Sequence, residues 1–137
     1  MRYRYIDHTS DLGVEIYGQN LEALFANSLF AIFDNILDLN TVAIKETRKI
    51  ELSGSTTEDL LMDWLRELVF IFATQFFIAK QVDQIVIKDN KLSAQISGER
   101  FDAARHKIKI EIKTPTYYMF KIDQTDKGYQ ATVVFDV

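Results

Sequence analysis

Apolar and polar residues alternate over several short segments of the chain, a pattern typical of β-strands with one buried face. Near the N-terminus the alternation predicts strands over residues 2–6 and 12–17, with the polar turn His8-Thr9-Ser10-Asp11 between them. The Asp89-Asn90 pair predicts a hairpin turn, because Asp and Asn tolerate the backbone angles of tight turns. The other predicted strands span residues 45–52, 82–87, 91–97, 107–113, 116–123 and 129–135.

Two other segments carry apolar residues at spacings of three and four, which is the helical period. The first follows Asn20 and runs to residue 36, so we expect a helix capped by the Asn20 side chain. The second follows Ser55-Thr56-Thr57-Glu58, which has the form of a capping box in which Ser and Glu satisfy free backbone N–H groups. Its apolar face is wide, and Asp63, Arg66 and Glu67 fall on the opposite side, where we expect solvent.

These elements predict an α+β fold, with a mainly antiparallel sheet of about seven or eight strands and two core helices packed on it. The strands come mostly in hairpin runs, which argues against a doubly wound parallel fold. The length of 137 residues fits a single domain over residues 1–137, and the 47% hydrophobic content supplies its core. The one proline, Pro115, is expected at a bend or edge of its strand.

Composition argues against several classes of function. The chain has no cysteine, which excludes disulfides, thiolate metal sites and thiol nucleophiles. The formal net charge of -4 is opposite to the basic surface that holds nucleic acid, so tight direct RNA or DNA binding is not expected. The N-terminal residues lack the apolar stretch of a signal peptide, and no uncharged apolar run is long enough for a membrane span. We therefore expect a cytoplasmic protein.

One local basic stripe stands out in this acidic chain. It consists of residues that alternate on one side of the predicted strand over residues 107–113 and its approach: Arg105, Lys107, Lys109 and Lys113. Such a stripe could meet a phosphate or an acidic partner, although a run of charge is more often a solvated face.

Asp11 and Asp136 lie near opposite ends of the sequence, and each adjoins an apolar strand. Because such a strand gives a carboxylate a fixed position, the two residues suggest a site where the chain ends meet. Carboxylates, carbonyls and water are the ligands of hard cations such as Ca²⁺ and Mg²⁺, and Val137 could add its carbonyl or terminal carboxylate. The alternative interpretation is that Asp11 stabilises its own turn while Asp136 lies frayed in solvent.

Other chemistry finds little support in the sequence. A zinc site is not expected, because His8 and His106 are the only histidines and neither has a second ligand at short spacing. The chain shows no nucleophile motif, glycine-rich phosphate loop or dinucleotide-binding fingerprint, so nothing in it indicates an enzyme.

Four blocks of sequence together resemble the archease family. They are His8-Thr9-Ser10-Asp11-Leu12-Gly13, the helical block at residues 59–68, a second-half block made of residues 98–102, Arg105-His106 and residues 111–117, and the closing Val133-Val134-Phe135-Asp136-Val137. The blocks come in the family's order and run from residue 8 to residue 137, which is nearly the whole chain.

The resemblance implies a small α+β protein that is not itself a catalyst. Archeases bind a divalent cation, usually calcium, and activate the GTP-dependent RtcB-type RNA ligase of tRNA splicing and RNA repair by promoting its guanylylation. Carried over to this chain, the resemblance implies a metal site at Asp11, Asp136 and Val137. It also implies contacts to phosphate or to the partner by Lys113, with His8 and His106 as neighbouring or interface groups.

Two departures from the family pattern keep other functions open. Tyr118 stands where the family usually carries a histidine, and Pro115 enters the same block and removes a backbone donor. One alternative is a chaperone or binding module for another RNA-processing enzyme, such as an RNA methyltransferase. A third hypothesis, a metal-dependent phosphoesterase, lacks a recognisable nucleophile or base.

Overall fold

The computed structural model describes residues 1–7 and 11–137, which form two α-helices and seven strands in two antiparallel sheets. In chain order the elements are β1 (Tyr3–Tyr5), β2 (Leu12–Gly18), α1 (Leu21–Ile36), β3 (Glu46–Ser53), α2 (Thr57–Gln75), β4 (Phe77–Lys88), β5 (Lys91–Arg100), β6 (Thr114–Thr125) and β7 (Gly128–Asp136). The first sheet has the strand order β1-β2-β7-β6, and the second has the order β3-β5-β4. The predicted α+β class is confirmed, and the strands divide between two sheets.

Both helices start at capping side chains. Asn20 Oδ1 accepts the Ala23 N–H at 2.8 Å, so the predicted cap of α1 is confirmed. The prediction for α2 was wrong by one residue, because Thr56 is the cap and its Oγ1 accepts the Asp59 N–H at 3.0 Å. Ser55 Oγ instead donates to the Asp59 carboxylate at 2.6 Å. The first turn of α2 is therefore closed by Thr56 and Asp59 rather than by Ser55 and Glu58.

The core is built around α1, which packs against β2 of the first sheet and β4 of the second. Trp64 on α2 is fully buried, and its Nε1–H donates to the Phe25 carbonyl at 3.0 Å and to Ser28 Oγ at 3.1 Å on α1. The indole thus fills the helix interface and has its one donor satisfied, which a buried tryptophan needs. Asp63 and Arg66 lie on the exposed side of α2, as predicted.

The β4–β5 hairpin turns at Asp89 and Asn90, which have φ values of 53° and 58°. These are the positive angles of a two-residue hairpin turn, and they confirm the prediction for this dipeptide. Farther along, β4 bulges between Ala79 and Gln81, and a Cβ atom at Gly98 would come within 1.8 Å of the Ile78 carbonyl oxygen. Only glycine fits at this approach of β4 to β5.

The predicted strand over residues 107–113 was wrong. This segment belongs to an irregular stretch from residue 101 to residue 113 that makes no sheet ladder. Its alternation has another cause, since Ile110 and Ile112 pack against the core while the charged residues beside them, Lys109, Glu111 and Lys113, are exposed. Its backbone donors are satisfied elsewhere, with the Lys109 N–H bound to the Ile36 carbonyl at the end of α1 at 2.6 Å.

Pro115 lies on β6, an edge strand of the first sheet, which is one of the two positions predicted for it. In the part of the chain that the structure describes, no helix is long and apolar enough to cross a membrane.

Candidate functional site: acidic strand ends

Three neighbouring strands of the first sheet end at the same edge, and the predicted acidic residues lie there. Leu12 at the start of β2 pairs with Phe135 near the end of β7, so Asp11 and Asp136 occupy the next positions of the same register. Asp136 also pairs with Thr114 at the start of β6. Residues 125 positions apart in sequence are thereby brought side by side.

The alternation of side chains indicates which way these carboxylates face. Leu12 packs against the core and Phe135 is 1% exposed within it. Because successive residues of a strand point to opposite faces, Asp11 and Asp136 turn away from the core and toward the same side. Asp136 is exposed and Asp11 half-buried, so the pair is accessible to an ion or a partner.

The N-terminal strand supports the position of β2. The Ile6 N–H donates to the carbonyl of Gly13, two residues after Asp11, at 3.0 Å. On the same strand the Tyr5 hydroxyl donates to Asn35 Oδ1 of α1 at 2.7 Å. Burial, with a hydrogen bond from its hydroxyl to Asp34 at 2.5 Å, raises the pKa of Tyr3 above its ordinary range. The start of β2 is therefore tied to α1 through β1.

Lys113 joins the acidic pair at this edge. Its backbone N–H donates to the Asp136 carbonyl at 2.8 Å, and the β6–β7 register puts it opposite Val137. The lysine is exposed, and Val137 is 37% exposed. Four of the six predicted site residues, Asp11, Asp136, Val137 and Lys113, thus lie together, whereas His8 lies outside the described residues.

The donor set fits a hard cation better than a soft one. Within residues 1–7 and 11–137, no group of three or more His, Asp and Glu side chains is close enough to hold a metal. The available ligands are two carboxylates and the oxygens of Val137, so water or a partner would complete the coordination shell of the cation. Ca²⁺ accepts such a shell readily, because its oxygen ligands vary in number and geometry. Zinc, which favours nitrogen and sulfur ligands, does not suit it.

His106 occupies a different place, in a buried cluster around Glu99. Its side chain is fully buried, with Nε2 at 3.0 Å from Glu99 Oε2 and Nδ1 accepting the Asp102 N–H at 2.9 Å. Because Nδ1 accepts a hydrogen bond, the neutral ring carries its proton on Nε2 and donates it to Glu99. Both ring nitrogens are used inside the protein, so in this conformation His106 supports the fold and does not reach a partner directly.

Glu99 is the residue that holds this cluster together, and sequence analysis gave it no role. Its carboxylate accepts two hydrogen bonds from Arg105 at 2.5 and 2.9 Å and one from the Ala43 N–H at 2.6 Å. The Arg105 guanidinium lowers the pKa of Glu99 far below its usual range, burial opposes this shift, and the Ala43 N–H and His106 add to it. Arg105 is therefore engaged by Glu99, and the strand on which the basic stripe was predicted is absent, although Lys107, Lys109 and Lys113 are exposed.

The Glu99 cluster fixes the start of the irregular stretch whose other end borders the acidic pair. Residues 101–113 are held at Glu99, at the Ile36 carbonyl and at the Asp136 carbonyl. Glu99 is a charged residue on a strand, between Gly98 and Arg100, and this is the one sequence signal that could have drawn attention to it.

Comparisons with known proteins agree over nearly the whole chain. The sequence model of the archease protein family matches residues 3–137. A curated relative named protein archease from Archaeoglobus fulgidus is 40% identical over 139 residues, covering 100% of both chains. Another of that name from Methanosarcina barkeri is 34% identical and covers 99% of this chain and 96% of its own.

Solved structures share the fold. The solution structure of Methanobacterium thermoautotrophicum protein 1598 aligns with a TM-score of 0.80 at 29% identity, covering 99% of each chain. A crystal structure from Thermotoga maritima, described as an archease and possible chaperone, aligns with a TM-score of 0.70 and covers 98% of this chain and 96% of that one. Its identity is 21%, so that likeness concerns the fold alone.

Proposed function

Because the chain belongs to the archease protein family, we propose that it is a non-catalytic, cation-binding activator of a GTP-dependent RtcB-type RNA ligase. In this role it promotes guanylylation of the ligase and so sustains multiple turnover in tRNA splicing or RNA repair. The observation that carries the proposal is the convergence of Asp11, Asp136, Val137 and Lys113 at the ends of three neighbouring strands.

Asp11, Asp136 and Val137 would hold the cation, and calcium suits their oxygens best. When bound, the cation neutralises the two carboxylates and presents open coordination positions to an oxygen of the partner or of its nucleotide. Lys113, exposed beside the pair, would donate to a phosphate or a carboxylate of the ligase. His8, three residues before Asp11 in the sequence, would be a further contact of this kind.

The residues of this chain contribute binding and orientation rather than covalent chemistry. The acidic pair alone would repel an anionic nucleotide, so Lys113 and the cation together make the site suitable for a phosphate. His106 would act through the Glu99 cluster, which holds residues 101–113 and hence the approach to Lys113.

The experiment is a multiple-turnover ligation assay with a cognate ligase, run alongside measurement of the ligase–GMP adduct. We expect the wild type to accelerate both, and Asp11→Ala and Asp136→Ala to accelerate neither. Asp126→Ala is the matched control, because Asp126 is an exposed aspartate in the turn at the other end of the β6–β7 hairpin. Calcium-dependent stabilisation without any effect on the ligase would instead favour a binding module for another RNA-processing enzyme.

A further inference from the structure

β6 carries a large irregularity a few residues from the acidic pair. Thr116 pairs with Val134 and Lys121 pairs with Thr132, so residues 117–120 stand opposite Val133 alone. We refer to residues 117–120 as the β6 bulge. Its Met119 has a φ of 56°, an angle that side chains other than glycine, asparagine and aspartate rarely adopt.

The β6 bulge presents apolar side chains to solvent. Tyr117 is 60% exposed, Tyr118 61% and Met119 52%. Tyr117 is nevertheless held in place, since its ring meets Phe120 edge-to-face at 6.0 Å between centroids and lies 5.2 Å beneath the Arg66 guanidinium. A preordered tyrosine loses little conformational freedom on binding, which favours it as an interface anchor.

Protection of a sheet edge does not account for this composition. Proteins protect edge strands with charged residues, proline and bulges, and Pro115 already interrupts this edge. A bulge needed only for that purpose would gain from polar residues and from Gly or Asn at the position of Met119. Holding a methionine at positive φ is energetically unfavourable. Exposed Tyr, Met and Arg are residue types enriched in protein–protein interfaces.

The neighbouring surface of α2 is acidic and partly apolar. A shallow cavity of about 430 Å³ beside Arg66 is lined by Leu52, Asp63, Arg66, Glu67 and Phe70. Phe70 is 55% exposed, and the Asp63 carboxylate lies 3.8 Å from the Arg66 guanidinium. The cavity therefore combines an apolar wall with carboxylates that could pair with basic side chains.

We propose that the β6 bulge, together with Arg66 and this cavity, is a docking surface for a basic RNA-processing enzyme. The inference rests on the proposed function and names the surface that anchors that enzyme. Tyr117 and Met119 project and would enter an apolar pocket of the partner, while its basic side chains would meet Asp63 and Glu67. The net charge of -4 complements an enzyme that carries a basic surface for RNA.

The position of the β6 bulge supports this occupant. β6 begins at Thr114, which pairs with Asp136, and the bulge begins three residues later, at Tyr117. At about 3.3 Å per strand residue, Tyr117 begins roughly 10 Å from the acidic pair. One partner could therefore contact the acidic pair and the bulge together, and the bulge would supply affinity that two carboxylates and a cation do not.

The test measures the dissociation constant of the cognate ligase for the full chain in the presence of calcium, by biolayer interferometry. The variants are Tyr117→Ala and Met119→Asn, the latter chosen because asparagine tolerates positive φ and should not disturb the fold. Val86→Ala is the control, since Val86 is 52% exposed on β4 of the other sheet. Thermal unfolding and calcium titration of each variant accompany the binding data.

We expect each β6 bulge variant to weaken ligase binding by about tenfold or more, with calcium affinity and folding unchanged and with Val86→Ala neutral. Wild-type affinity should also fall as salt is raised, because opposite charges meet at the surface. If the wild type binds and activates the ligase but both bulge variants bind within about twofold of it, the docking surface is refuted and the proposed function stands. If the wild type binds no ligase, the proposed function fails and this inference fails with it.

A further arm tests RNA as the occupant. Wild type is titrated with a single-stranded RNA oligonucleotide in the absence of ligase. Binding that disappears in Tyr117→Ala would assign the bulge to RNA stacking and overturn the protein-docking proposal.

Discussion

Substitution of Glu99 by glutamine tests whether the buried carboxylate stabilises the irregular stretch from residue 101 to residue 113. The Glu99 side chain is 3% exposed, and glutamine preserves its shape while removing its charge. The carboxylate receives hydrogen bonds from the Ala43 N–H, from His106 and twice from Arg105. Glutamine offers one acceptor oxygen, and its NH₂ group turns a donor toward other donors.

The expected loss follows from the surroundings of the carboxylate. Removing one partner of a buried ion pair costs about 3–5 kcal/mol, because the remaining charge is left uncompensated. Arg105 is 40% exposed and water can solvate it in the variant, so we expect the lower limit, about 3 kcal/mol. For a domain of this size the melting temperature should fall by roughly 10 °C.

Urea unfolding, followed by the fluorescence of the single tryptophan, Trp64, measures this change, since Trp64 is fully buried when folded. Glu51→Gln is the matched control. Glu51 pairs with Lys49 at 2.9 Å but is 65% exposed, so its loss should cost less than about 1 kcal/mol. If Glu99→Gln lowers the free energy of unfolding no more than Glu51→Gln does, the structural role assigned to the cluster is refuted.

Three further predictions follow from the same structure. Because folding lowers the pKa of Glu99, the contribution of its charge to stability is complete above its ordinary pKa of 4.5 and declines as pH falls. The difference in unfolding free energy between wild type and Glu99→Gln should therefore shrink from about pH 5 to pH 2. A difference that stays constant over this range would contradict the role of the Glu99 charge. Calcium at about a hundred times its dissociation constant should stabilise the wild type by about 2.7 kcal/mol in thermal unfolding, and Asp136→Asn should lose most of this gain; equal stabilisation of both would remove Asp136 from the site. Asn20→Ala should destabilise by about 1 kcal/mol in urea because the cap to the Ala23 N–H is lost, whereas Asn20→Asp should retain stability; equal effects of both would contradict the cap.

Predictions based on local patterns succeeded where neighbours in sequence supply the structure. The cap at Asn20, the turn at Asp89 and Asn90 and the two helices depend on interactions within a few residues, and the structure confirms them. The prediction for residues 107–113 failed because alternation reports only which side chains face the core. A strand also needs a hydrogen-bonding neighbour, and Lys109 finds its acceptor on a helix instead.

The same distinction between local pattern and tertiary pairing applies to the candidate site. The sequence alone singled out Asp11, Asp136, Val137 and Lys113 by residue type and by resemblance, without showing that they lie together. Register decides that, because the pairing of Leu12 with Phe135 and of Thr114 with Asp136 joins segments that are far apart along the chain.

The amino-acid sequence by itself determined the helices, most of the strands and the chemical nature of the acidic pair, because these depend on local periodicity and on side-chain type. Only the tertiary structure decided that His106 is buried against Glu99 and that β6 bulges outward at Tyr117 and Met119. The physical reason is that a buried charge is tolerated only where enough donors converge on it, and Ala43 reaches Glu99 from 56 positions away, while a bulge exists only relative to a partner strand. The residues adjacent to Glu99 and to the β6 bulge in the sequence do not indicate either condition.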